Sequence, residues 1–178
     1  MNPPPFTIRA AVANDWTAAT EVVRAVYDEY GFTWDEADYH ADLYNLAEFY
    51  LDKGHRFWIA ETDEGPVGTA ALEIFDPIPG LCGGIVQYEG ASRIGGCDCA
   101  LQRLYVVKSG RRSGVGSALM KMVVDTARQL EKRNLEIWSD KRFVEAHRLY
   151  GKADAITVGD RICHDPDQSP EWGLYIPI

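Results

Sequence analysis

No apolar run in the chain approaches the ~18 residues that a membrane-crossing helix needs, and the start, MNPPPFTIRA, lacks the basic and long apolar regions of a secretory signal. Both absences predict a cytoplasmic protein without a membrane partner. Cysteine is scarce: four among 178 residues (Cys82, Cys97, Cys99, Cys163), which a reducing compartment keeps as thiols. Cys97 and Cys99, with Cys163-His164 downstream and Cys82, make a zinc site conceivable, but the close pairs lack the C-x(2–4)-C spacing of structural zinc sites, so no metal is expected. Basic residues are outnumbered 18 to 27, and the formal charge of −9 argues against nucleic acid while leaving a cationic small molecule unopposed. No internal repeat or low-complexity tract is present. What the chain does have is a globular composition, 46% hydrophobic and 25% charged, predicting one domain over 1–178 with a frayed, Pro-rich start at 1–5.

Apolar periodicity divides the chain into alternating elements. A short strand over 6–11 leads to a helix over 15–30 with Ala19, Val23, Val26 and Tyr27 on one face and Gly31 ending it. A second helix is predicted over 37–52 from the stripe Tyr39, Leu43, Leu46, Tyr50. From Arg56 the period becomes two: RFWIAET, the turn residues DEGP, and VGTAALEIF form a hairpin. The Gly- and Pro-rich stretch 76–96 reads as a long loop, of the kind that is functional or disordered, holding a small hairpin near 85–88. A strand over 97–107, an amphipathic helix over 115–130, a strand over 135–139, a helix over 142–152 and strands near 155–158 and 171–176 complete a mixed α/β sheet with helices packed on its faces.

The segment Leu101–Leu119, LQRLYVVKSGRRSGVGSAL, carries the chemistry. A strand delivers a glycine turn to the start of a strong helix, where the first amides lack internal acceptors and the helix dipole is positive. Arg111, Arg112, Ser113, Gly114, Val115, Gly116 and Ser117 therefore form an anion site fit for a phosphate. Glycine at 114 and 116 keeps a Cβ from holding a diphosphate off the backbone. No Gly-Lys-Ser/Thr follows, and Leu119 stands where a dinucleotide fingerprint needs its third glycine, so neither nucleotide hydrolysis nor hydride transfer is supported.

These residues resemble the GCN5-related N-acetyltransferase (GNAT) family. Its signature, a strand ending L-Y-V followed by R/Q-x-x-G-x-G/A at a helix start, reads here as Leu104-Tyr105-Val106 and then Arg111 to Gly116. A second element, a helix with A-x-x-L/F-Y, reads Ala146 to Tyr150. The resemblance implies the GNAT-like acyl-CoA N-acyltransferase fold: a mixed, mostly antiparallel central sheet with helices on both faces and splayed central strands. It implies acetyl-CoA as acyl donor, its diphosphate on 111–117 and its pantetheine arm paired with the backbone of Leu104, Tyr105 and Val106, a form of β-augmentation.

In that reading Tyr150 protonates the leaving thiolate, and an acceptor amine loses its proton to a base. Ala100 stands where some relatives carry glutamate; Asp98 on the same strand face is the first alternative, Glu73 the second, and ordered water a third. Tyr30, Phe32, Trp34, Tyr39 and Tyr44 are candidates for an aromatic acceptor wall. The implied activity is acetyl transfer to an amine of a small molecule or peptide, with a homodimer admitted. The competing reading is a non-catalytic module of the same fold that binds coenzyme A or another protein.

Overall fold

The computed structural model describes residues 6–178, so the frayed start expected at 1–5 lies outside the described residues. In chain order the elements are β1 (Thr7–Ala10), α1 (Trp16–Tyr30), α2 (Ala41–Tyr44), β2 (Arg56–Thr62), β3 (Gly65–Ile74), β4 (Ile85–Tyr88), β5 (Ala91–Ile94) and β6 (Cys99–Val106), then α3 (Val115–Gln129), β7 (Asn134–Asp140), α4 (Val144–Lys152), β8 (Ile156–Ile162) and β9 (Pro170–Pro177). Seven strands form one sheet in the order β1-β2-β3-β6-β7-β9-β8, and β4-β5 form a separate ribbon. The β1–β2, β2–β3, β7–β9 and β8–β9 pairs are antiparallel, whereas β6–β7 is parallel. The parallel ladder is short, pairing Cys99, Ala100 and Leu101 with Leu135, Glu136 and Ile137, while β6 itself runs on to Val106. No described helix is long and apolar enough to cross a membrane.

The chain divides into two compact units. The first comprises, among the described residues, 6–72 and 102–123. Its core joins Ala19, Val23 and Tyr27 of α1 to Leu43, Leu46, Tyr50, Phe57 and Ile59. The single helix expected over 37–52 is absent. Instead α2 is one turn, Asn45 leaves helical geometry at φ −142°, and a π-helical turn follows over Ala47–Leu51. The cause is local competition for the backbone: the Asp35 carboxylate accepts the amides of Asp38 and Tyr39 at 3.2 and 3.4 Å, and the Asn45 side chain accepts that of Glu48 at 3.3 Å. The apolar stripe was real, since Leu43, Leu46 and Tyr50 are buried, but three short turns present it.

The second unit comprises residues 73–101 and 124–178. Ile94, Leu135, Ile137, Leu174 and Ile176 are buried in it. Within 76–96, the expected hairpin near 85–88 is β4–β5, closed by Glu89 and Gly90 at φ 50° and 81°, the two positive values that a tight twisted turn requires. A buried carboxylate ties it down: Glu136 on β7 accepts the Arg93 guanidinium, the Ile94 amide and the Trp138 indole N–H, each at 2.7–2.8 Å.

Candidate active site

In the first unit, β6 leads into a 3-10 turn, Lys108–Gly110, and then α3. Gly110 is buried, and a Cβ there would sit 3.0 Å from Val67 Cβ and 3.2 Å from the Val67 carbonyl, so only glycine lets the chain turn this close to β3. The Ser113 hydroxyl donates to the Gly110 carbonyl at 2.7 Å, and the backbone then turns through Arg112 at φ 61° and Gly114 at φ 93°. Val115 and Leu119 anchor α3, facing a β3 position, Gly68, where a Cβ would approach them at 2.9 and 3.0 Å. The turn is thereby fixed at its base and bare at its tip, with Arg112, Ser113, Gly114 and Ser117 exposed.

The amides of the tip are unclaimed. The first α3 bond to a residue before the helix runs from the Ala118 N–H to the Gly114 carbonyl, at 2.9 Å, and no described residue accepts a close hydrogen bond from the amides of Arg112 through Ser117. Six successive N–H groups at a positive helix end are what the anion site expected over Arg111–Ser117 requires. No heavy atom lies within 4 Å of the Cβ position of Gly114, so the space above the cradle is open. The residues present fit a diphosphate.

Arg111 departs from expectation. Its Nη1 and Nη2 donate to Oε1 and Oε2 of Glu29, near the end of α1, at 2.7 and 2.6 Å, and its Nε donates to the Val106 carbonyl at 3.0 Å. The guanidinium holds the Glu29 carboxyl below its ordinary range. Glu29 also lines a depression of about 560 Å³ with Ala25, Val107, Lys108 and Ser109. Arg111 is thus a cation already neutralised in part by the chain, and sequence reading missed Glu29 because its partner lies 82 residues away with no local pattern to announce it. Leu104, Tyr105 and Val106 are half-buried.

The aromatic candidates are half-buried and engage neighbouring side chains. Trp34 stacks on His40 at 3.9 Å, lies under the Arg24 guanidinium at 5.3 Å and donates its indole N–H to the Tyr44 hydroxyl at 3.3 Å. Tyr39 lies beneath Arg103, and Tyr30 leans on Phe32 at 5.4 Å. His40 is buried with its Nδ1 3.2 Å from the Asp35 amide and its Nε2 without a hydrogen-bond partner. Burial, aided by the Arg103 charge, pushes its pKa down to about 4, which leaves it neutral at physiological pH.

The three catalytic candidates lie in the second unit. Tyr150 is buried near the end of α4, its ring centre 6.4 Å from that of His147. His147 Nε2 lies 3.2 Å from the Ser139 hydroxyl, and burial lowers its pKa. Asp98 precedes β6 rather than lying in it, and its buried carboxylate accepts the amides of Arg133 at 3.0 and 3.1 Å and of Asn134 at 3.2 Å. Those bonds fix the chain where β7 starts. Glu73 is half-buried at the end of β3, and Ala100 is buried.

Comparison with known proteins bears on the same segments. The Acetyltransferase (GNAT) family matches residues 21–154. The uncharacterized N-acetyltransferase YjgM of Escherichia coli K12 is 29% identical over 146 residues, covering 80% of this chain and 77% of that protein. An acetyltransferase of Streptococcus agalactiae 2603 superposes with a TM-score of 0.74 at 14% identity, over 98% of this chain and 99% of its own. The yncA protein of Salmonella typhimurium, solved with its cofactor acetyl-CoA, superposes at 0.69 and 16%, over 97% and 94%. These structural likenesses establish the fold, and with the family match over 21–154 the chain belongs to the GNAT acetyltransferases, whose acyl donor is acetyl-CoA.

Proposed function

We propose that this chain transfers the acetyl group of acetyl-CoA directly to an amine of a small molecule or peptide. The observation that carries the reading is the run of unclaimed amides from Arg112 to Ser117, lying where the family signature puts the diphosphate. Leu104, Tyr105 and Val106 stand where the family signature puts the strand that pairs with the pantetheine arm, a form of β-augmentation. Attack on the thioester requires a neutral amine, donors for the developing oxyanion and a proton for the departing thiolate. Tyr150 supplies that proton, an assignment resting on its place in the second family motif. The Asp98 carboxylate holds the backbone amides that open β7, a structural duty that favours Glu73 or ordered water as the route for the amine proton. The acidic balance of the chain suits a cationic acceptor.

Two measurements test this. Calorimetry should detect coenzyme A binding to the wild-type chain, and a folded chain that binds none refutes the donor site. An acetyl-CoA consumption screen over amino acids, polyamines, aminoglycosides and peptides should then find an acceptor, for which Tyr150→Phe lowers kcat about 100-fold or more while leaving donor affinity within about twofold. Unchanged turnover removes Tyr150 from the chemistry. Donor binding with no turnover on any amine supports the non-catalytic module.

A further inference from the structure

Inside β6, Arg103 adopts φ 51°, a left-handed conformation that residues with side chains rarely take and that strands do not contain by default. Three sets of contacts hold it there. Its carbonyl accepts the hydroxyl of buried Thr69 at 2.7 Å, so a β3 side chain serves a carbonyl that regular strands pair through backbone amides. Its guanidinium donates to both carboxylate oxygens of Asp42, at 2.9 and 2.6 Å, and to the Tyr39 carbonyl at 2.7 Å. It also lies 5.2 Å from the centre of the Tyr39 ring. Asp42 in turn accepts the Tyr50 hydroxyl. The Arg103 and Asp42 side chains are 11% and 15% exposed. A buried pair of this kind adds little net stability over apolar residues of equal volume, but it permits one geometry and penalises others.

The residues that follow Arg103 are Leu104, Tyr105 and Val106, the backbone assigned above to the donor arm. We propose that the Asp42–Arg103 ion pair positions this backbone: it holds the left-handed residue in β6 and so sets the direction in which the strand continues through the next three residues past the acyl donor. This rests on the function proposed above. Neither side chain touches a reacting atom; both act through the strand. One consequence is that the segment from Asp35 to Tyr50, which supplies Tyr39, Asp42 and Tyr50, controls donor affinity without contacting the donor.

The test compares two double variants, D42N/R103A and D42N/R103G, which lack the same ion pair and differ by one Cβ. Only alanine resists the left-handed conformation. In folded protein, the coenzyme A dissociation constant should be about tenfold higher for D42N/R103A than for D42N/R103G, a difference that a general loss of stability would not produce. Equal constants for the two overturn the proposal, as does wild-type affinity in D42N/R103A. If either double variant fails to melt cooperatively, D42N alone decides: amide exchange should accelerate at Leu104–Val106 relative to the rest of β6, and unchanged exchange there overturns the proposal. Exchange needs no ligand. A wild-type chain that binds no coenzyme A therefore refutes the donor site, while the strand-holding claim stands or falls on exchange.

Discussion

In the proposed donor site, replacing Glu29 by glutamine removes a carboxylate that would compete with the diphosphate for the Arg111 guanidinium. The two side chains meet through a bidentate pair at 2.6 and 2.7 Å, with 32% of Glu29 and 27% of Arg111 exposed to water. Geometry of this kind puts the pair toward the upper end of the surface range, about 1 kcal/mol. When an anion settles on the amides of Arg112–Ser117, the guanidinium must be shared with it, and the Glu29 charge repels it. Glu29→Gln should thus tighten coenzyme A binding about threefold to fivefold and cost at most about 1 kcal/mol of stability. The gain should shrink as salt rises from low to molar concentration. The pH dependence has a definite sign: Glu29 has its pKa lowered in the fold, so its contribution is complete above the ordinary carboxyl value near 4.5 and is lost as pH falls through the lower folded value. Titration calorimetry at two ionic strengths, with a thermal melt of each protein, reads all of this. Unchanged or weaker binding by a folded E29Q chain would refute the reasoning.

Two further outcomes follow from local geometry. Gly114→Ala meets no atom within 4 Å but must adopt φ 93°, so it should lower stability by about 1 kcal/mol; a larger loss of coenzyme A affinity should accompany it, measured by melting and calorimetry. Asp98→Ala removes the acceptor of the Arg133 and Asn134 amides and should cost about 2–3 kcal/mol in denaturant unfolding, whereas a shifted pH–rate profile at unchanged stability would restore Asp98 as the base.

The strand–turn–helix at 99–129 was legible because each of its requirements is local: a β-rich run, glycine where the backbone must turn, and apolar residues at helical spacing on Val115, Leu119 and Val123. The hairpin at β4–β5 was legible for the same reason, since Glu89-Gly90 specifies its turn. The stretch 37–52 was misread because periodicity reports which side chains are buried and is silent on whether one helix or several turns bury them. Asp35 and Asn45 decide that through side-chain bonds to the backbone.

The order of the elements, the glycine-bounded turn before α3 and the two family motifs are properties of short windows of sequence, where neighbours along the chain are neighbours in space. Partners are not. Glu29 reaches Arg111 across 82 positions, Asp42 reaches Arg103 across 61, and the Asp98 carboxylate serves amides 35 and 36 residues onward. A charged side chain in the sequence carries no mark of the group it will meet, because that meeting is set by how the strands and helices pack, so only the tertiary structure decided which charges hold the fold and which remain for a ligand.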